Sequence, residues 1–227
     1  MRYFDGIGVR MHSDIAYRLG RVLNEYLKNK KESDIDNYSS TLALSILETI
    51  LCNFVEHFNG RDYKKEFKSA YGIDLNYKLN NSTENQLGLK SEYVFSTSFS
   101  YTSYYNFLKN IRNALSHPFN YSYNINISLN KCIKNKEELL HTGVFTCFDD
   151  ELYSKDHLIR DYYFVTTFRE KDNLGKEFLK SYSIYKMSSN ELINLTTNLC
   201  DIMSQPVVNE WENFKNTKYK SLFDQRA

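Results

Sequence analysis

Proline and glycine are scarce, with 2 Pro and 8 Gly in 227 residues. So few breakers exclude collagen-like, proline-rich and Gly/Ser-linker chains and favour long, uninterrupted elements. Charge of one sign is equally absent. The 29 Lys and Arg against 28 Asp and Glu leave a formal net charge of +1. That excludes a general electrostatic coat for nucleic acid, so any nucleic-acid chemistry has to rest on a local patch. The four cysteines, Cys52, Cys132, Cys147 and Cys200, form no Cys-x-x-Cys pair and read as free thiols rather than a disulfide framework. Cys132, His141, Cys147 and His157 match no zinc spacing, so no metal and no cofactor are expected. No apolar run approaches the length of a membrane span, and Met1 to Arg10 lacks the apolar segment of a secretory signal. The expectation is a cytoplasmic protein with no membrane contact.

What is present is an ordinary globular balance, 41% hydrophobic and 25% charged, long enough for one sizeable core. Ser13 reads as the N-cap of a helix running to about Lys30, with a buried stripe of Ile15, Leu19, Val22, Leu23, Tyr26 and Leu27. The charged segment from Lys28 to Asp34 reads as a solvated connection. From about Ser39 to Asn59, Ala43, Ile46, Leu47, Ile50, Leu51, Phe54 and Phe58 fall at helical spacing and mark the central core helix. Arg61, Lys64, Lys65 and Lys68 lie on a short basic helix ending near Gly72, partly neutralised by Asp62 and Glu66. Asp74 to about Ser91 reads as a polar loop, and Tyr93 to Ser103 as a strand or an extended lead-in. After Pro118 the period changes to two. Asn120 to Leu129, Val144 to Phe148, Tyr162 to Phe168 and Tyr182 to Met187 read as strands of an antiparallel sheet. Ser188-Ser189-Asn190-Glu191 has the spacing of a capping box opening a helix through Leu192, Leu195, Leu199 and Ile202. A last amphipathic segment after Pro206 carries Val207, Val208, Trp211 and Phe214.

The stretch that carries chemistry runs from Asn106 to Pro118, Asn-Phe-Leu-Lys-Asn-Ile-Arg-Asn-Ala-Leu-Ser-His-Pro. At about 100° per residue, Tyr104, Phe107, Leu108, Ile111, Ala114 and Leu115 form a core stripe. Tyr105, Lys109, Arg112, Asn113, Ser116 and His117 gather opposite. Arg112 and His117 are five apart and diverge by about 140°. Asn113 lies nearly beneath His117, and Ser116 stacks over Arg112. Pro118 disfavours the helical conformation for the residue before it, so His117 should stand at or just past the helix end. The bland alternative is that Arg112 makes a surface ion pair and His117 merely ends a helix.

Arg112-Asn113-x-x-x-His117 resembles the Arg-x(4–6)-His motif of the HEPN superfamily, in the form with a polar residue after the arginine. The likeness is strong over Tyr101 to Pro118 and loose over the preceding helices. It implies a HEPN-like helical bundle; the small antiparallel β-sheet region and C-terminal helices read from the periodicity are added to it and depart from minimal bundles of that family, so the chain is expected to be mainly α, α+β overall. Residues 1–227 would form a single compact unit, with a HEPN-like core over 10–120, a β-rich insertion over 121–187 and C-terminal helices over 188–227 packing back on the core.

The resemblance further implies a metal-independent endoribonuclease cutting RNA by 2′-OH attack, at a composite site in a homodimer whose motif helices face each other. Arg112, Asn113 and His117 would be catalytic, with Ser116, Lys109 and Glu48 in support. Glu48, on the core helix, would orient His117, although a solvent-facing carboxylate is the commoner outcome at such a position. Family toxins regulated by a nucleotidyltransferase antitoxin carry a tyrosine two residues after the histidine. Phe119 stands there, and Tyr121 lies two residues too far, so a stand-alone effector in phage defence or growth arrest fits better. The alternative is a non-catalytic HEPN-like dimer that binds RNA or a protein partner. A Ser/His/Asp hydrolase has no nucleophile-elbow glycine pattern behind it.

Overall fold

The computed structural model describes residues 3–29, 38–57, 63–79, 87–98, 103–117, 142–148 and 159–224. Their elements are α1 (Tyr3–Asn29), α2 (Ser39–His57), α3 (Tyr63–Tyr71), β1 (Val94–Thr97) after a single 3-10 turn at Ser91–Tyr93, α4 (Tyr104–Leu115), β2 (Gly143–Phe148), β3 (Ile159–Lys171), β4 (Glu177–Ser188) and α5 (Ser189–Asp224). The chain is therefore mixed α and β, with five helices and one four-stranded antiparallel sheet among the described residues. The expected strand over Asn120 to Leu129, Pro118, Phe119, Tyr121, Arg61, Cys132, His141 and His157 lie outside them. No helix among the described residues is long and apolar enough to cross a membrane.

The sheet order is β1-β4-β3-β2. It is not confined to residues 121–187, because β1 precedes α4 and pairs with β4, Val94 opposite Tyr185 and Thr97 opposite Ser183. The β3–β4 hairpin turns at Asp172, whose carboxylate accepts from the Leu174 and Lys176 amides, and Gly175 takes φ of 81° to close it. That positive φ is the conformation glycine adopts at little cost. Strand β3 is buried on both faces: Tyr162 and Phe164 join the main core, while Tyr163 and Val165 join a smaller cluster with Ile184. This is why the sequence reads Tyr-Tyr-Phe-Val there without alternation.

The main core is α2, with Ala43, Leu47 and Leu51 at most 1% exposed, packed against α1, α4 and α5. Glu191 closes the expected capping box, accepting from the Ser188 amide at 2.9 Å while its own amide donates to Ser188 Oγ at 3.3 Å.

Two expectations are corrected. Ser13 does not cap α1, which begins at Tyr3. Ser13 is fully buried mid-helix, in a seam of Ser13, Ala16, Gly20 and Leu23 flanked by buried His12. Of the expected stripe, Leu23 is buried and Leu19 and Leu27 pack against the core, but Val22 is 52% exposed. The reason is size: the seam is made mostly of small residues at three- and four-residue spacing, and they let α5 approach until a β-carbon on Gly20 would stand 2.9 Å from Cys200 Cβ. A pattern keyed to large apolar residues misses such a seam. Second, the C-terminal helices are one helix, α5, with Pro206 inside it. Proline there removes a backbone donor. The helix runs on past the ring, with α5 packed along α1.

Two outcomes follow from this core. Gly20→Ala should lower the thermal midpoint, although alanine is the better helix former by about 1 kcal/mol, because the clash is with the β-carbon of another helix and cannot be rotated away. A raised midpoint would overturn the close-approach account. Burial, with Asp201 adjacent, pushes the Cys200 thiol up to about 12 from an ordinary 9.0. Burial, with Glu191 and Glu92 nearby, pushes the Tyr93 hydroxyl up to about 12 from 10.0. A raised folded value means that the stabilisation is complete below about pH 9 and is lost as pH rises towards 12. Denaturant midpoints should fall between pH 9 and 12, and Cys200→Ala with Tyr93→Phe should flatten that fall.

Candidate functional site

Helix α4 is placed at both ends. Ser103 caps it, its Oγ accepting from the Asn106 amide at 3.3 Å. Its first amides find carbonyls in the loop after α3: Tyr104 donates to Tyr77 O at 2.9 Å and Tyr105 to Leu75 O at 3.0 Å. At the other end Ser116 is the C-cap, its amide donating to Arg112 O at 3.0 Å and its hydroxyl to Asn113 O at 2.9 Å. The His117 amide makes the last bond of the turn, to Ala114 O at 3.3 Å. His117 thus stands one residue past the cap and exposed, as the following proline suggested.

The middle of α4 is fastened to the sheet by a residue whose role the sequence pattern missed. Asn110 is 5% exposed, and its amide donates to Tyr185 Oη at 3.1 Å and Ser183 Oγ at 3.3 Å. Its backbone carbonyl accepts from Thr166 Oγ1 at 2.8 Å. Phe107, three residues earlier, packs edge-on against Tyr185 with centroids 4.8 Å apart. The buried arc of α4 is therefore wider than its apolar stripe. The only signal was an asparagine at the stripe's border, which a helical projection assigns to neither face.

The remaining face holds the expected polar residues. Arg112 and Asn113 are half-buried, and Arg112 Nη1 donates to Asn113 Oδ1 at 3.4 Å. Asn113 is thereby engaged with Arg112, and Ser116 is engaged in capping. Lys109 is half-buried, its Nζ 5.6 Å from the centroid of the Tyr105 ring. Glu48 is half-buried on α2, which packs on α4, but among the described residues it makes no hydrogen bond or ion pair. The orienting contact to His117 is thus not formed in the single chain, and the imidazole makes no hydrogen bond among the described residues. No group of three or more His, Cys, Asp and Glu that could hold a metal ion occurs among the described residues. Cys52 and Cys200 are not joined in a disulfide. A groove of about 890 Å³ lies elsewhere, between α1 and α5, lined by Arg18, Arg21, Val22 and Trp211 among others and by no residue of α4. Its arginines pair along α1, Arg18 with Asp14 and Arg21 with Glu25.

The geometry therefore provides one helix end with a fixed guanidinium, a neighbouring amide and an exposed imidazole. No protein-family model matches the chain, and searches of curated proteins and solved structures yield no match.

Asn110→Ala should destabilise the fold by about 1–3 kcal/mol. It leaves Ser183 Oγ, fully buried, and the buried Tyr185 hydroxyl without their shared donor. Denaturant unfolding measures this, and an unchanged midpoint would show that the Asn110 side chain does not hold α4 to the sheet.

Proposed function

We propose that this protein is a metal-independent endoribonuclease of the HEPN type, acting as a homodimer whose motif helices face each other, in a defence or growth-arrest role. The observation that supports it best is the termination of α4. Ser116 caps the helix so that the exposed His117 follows directly on the Arg112–Asn113 pair. A cation and a titratable base are thus presented at one helix end, fixed by the sheet behind.

RNA carries its own nucleophile, so this chemistry needs no metal. The 2′-hydroxyl loses its proton to a base, its oxygen bonds to phosphorus, and the bond from phosphorus to the 5′-oxygen breaks. The leaving oxygen takes up a proton. The products are a 2′,3′-cyclic phosphate and a 5′-hydroxyl end. In this reading His117 moves the proton, Arg112 binds the phosphate and balances the charge developing on it, and Asn113 holds the guanidinium. Because Arg112 and His117 diverge around the helix, a two-fold axis at this end of α4 is an economical way to surround one phosphate with both.

The test is cleavage of RNA in excess EDTA by the wild type, Arg112→Ala and His117→Ala, with folding checked by circular dichroism. Wild-type cleavage should leave cyclic-phosphate ends, and His117→Ala should be slower by about 10²–10⁴-fold. Arg112→Ala should lose a comparable factor. Cleavage surviving both substitutions would overturn the assignment. RNA binding without wild-type cleavage would favour a non-catalytic dimer. A monomer in solution, or a dimer with its motifs on opposite outer faces, would exclude the composite site.

A further inference from the structure

The polar face of α4 continues beyond Arg112. Tyr105, Lys109, Arg112 and Ser116 recur at spacings of four, three and four, and so lie in one stripe along the helix. At its upper end a second cation arrives from another element: Lys64 of α3 places Nζ 5.0 Å from the Tyr105 centroid, against 5.6 Å for Lys109. Both ammonium groups thus sit over the same half-buried ring.

Lys64 donates to the amide oxygen Asn76 Oδ1 at 2.8 Å, and neither it nor Lys109 meets a carboxylate among the described residues. The nearby carboxylate, Asp74, is already engaged by Lys68 at 3.0 Å and by the Asn76 amide at 2.9 Å. The loop over 73–79 that supplies Asn76 also binds the first amides of α4. One loop therefore fixes Lys64 relative to Tyr105. The ring's π-face balances each ammonium only in part, and an anion that reaches both gains from two positive charges.

We propose that Lys64 and Lys109, positioned by Tyr105, form a phosphate subsite for single-stranded RNA, next along α4 from Arg112. This inference rests on the ribonuclease reading for the identity of the strand, though not for the existence of the anion site. Lys109 and Arg112 are separated by about 4.5 Å along the helix axis, and Tyr105 and Arg112 by about 10.5 Å. Those spacings are on the scale of one to two nucleotides of an extended strand. Arg112 then holds the scissile phosphate while the lysine pair holds a neighbouring one, setting which bond reaches His117. The chain's near-zero net charge makes such a local track necessary.

The probe is a fluorescein-labelled 12-nucleotide oligouridylate, titrated by anisotropy onto full-length His117→Ala at several salt concentrations. Against that background Lys64→Gln and Lys109→Gln should each weaken binding by about fivefold to tenfold. Each should also flatten the slope of log K against log salt by about 0.7. Tyr105→Leu should weaken binding while Tyr105→Phe retains it. Unchanged affinity and slope in both lysine variants would overturn the subsite even if the wild type cleaves RNA. The expected losses in a protein whose wild type never cleaves would instead uphold the subsite and sink the nuclease reading. Competition by polyglutamate as strong as by unlabelled oligouridylate would overturn the assignment to phosphate.

Discussion

The arrangement depends on a buried amide. Asn110 joins α4 to β3 and β4 at once, through Thr166 on one strand and Ser183 and Tyr185 on the other. Hydrophobic contact alone leaves a helix free to slide or rotate on a sheet, because apolar packing is non-directional. Three hydrogen bonds inside the core fix both rotation and register, since any slip strands buried donors and acceptors. Arg112 and His117 inherit their positions from that lock.

The ends of α4 are managed by different chemistry, and each end presents a different kind of group. At the N-terminus, loop carbonyls and Ser103 absorb the free amides, which ties α3 to α4 and brings Lys64 beside Tyr105. At the C-terminus, Ser116 turns its hydroxyl inward and the chain leaves the helix with His117 outside. The face between them carries two cations, Lys109 and Arg112, in a protein of almost no net charge. This local imbalance is where ligand chemistry has most to gain.

Much of this was legible from residue order. The core stripe of α4, its end before Pro118, the composition of α2, three of the four strands and the Ser188–Glu191 box follow from periodicity and capping rules. What escaped reading has a common cause. Ser13 looked like a cap because serine is a good one, yet it lies in a seam of small residues whose value is only that α5 can come close. Asn110 was placed on neither face because a helical projection knows nothing of the sheet. Pro206 looked like a terminus, although a helix held by a neighbour tolerates one lost bond. Lys64 and Tyr105 lie on separate helices, and only the fold brings them together. Local rules read local energetics; these four are decided by partners distant in the chain.

The pairing of β1 with β4 has a consequence in time. Val94 meets Tyr185, and α4, between them in sequence, docks on strands completed only after it. During synthesis Arg112 and His117 therefore emerge before the surface that orients them exists. Such long-range pairing must be closed before α4 is held, which makes this a late event in folding. A chain interrupted before β4 carries the whole motif with nothing to aim it. The order of strands thus delays the assembled site until the C-terminal third has been made.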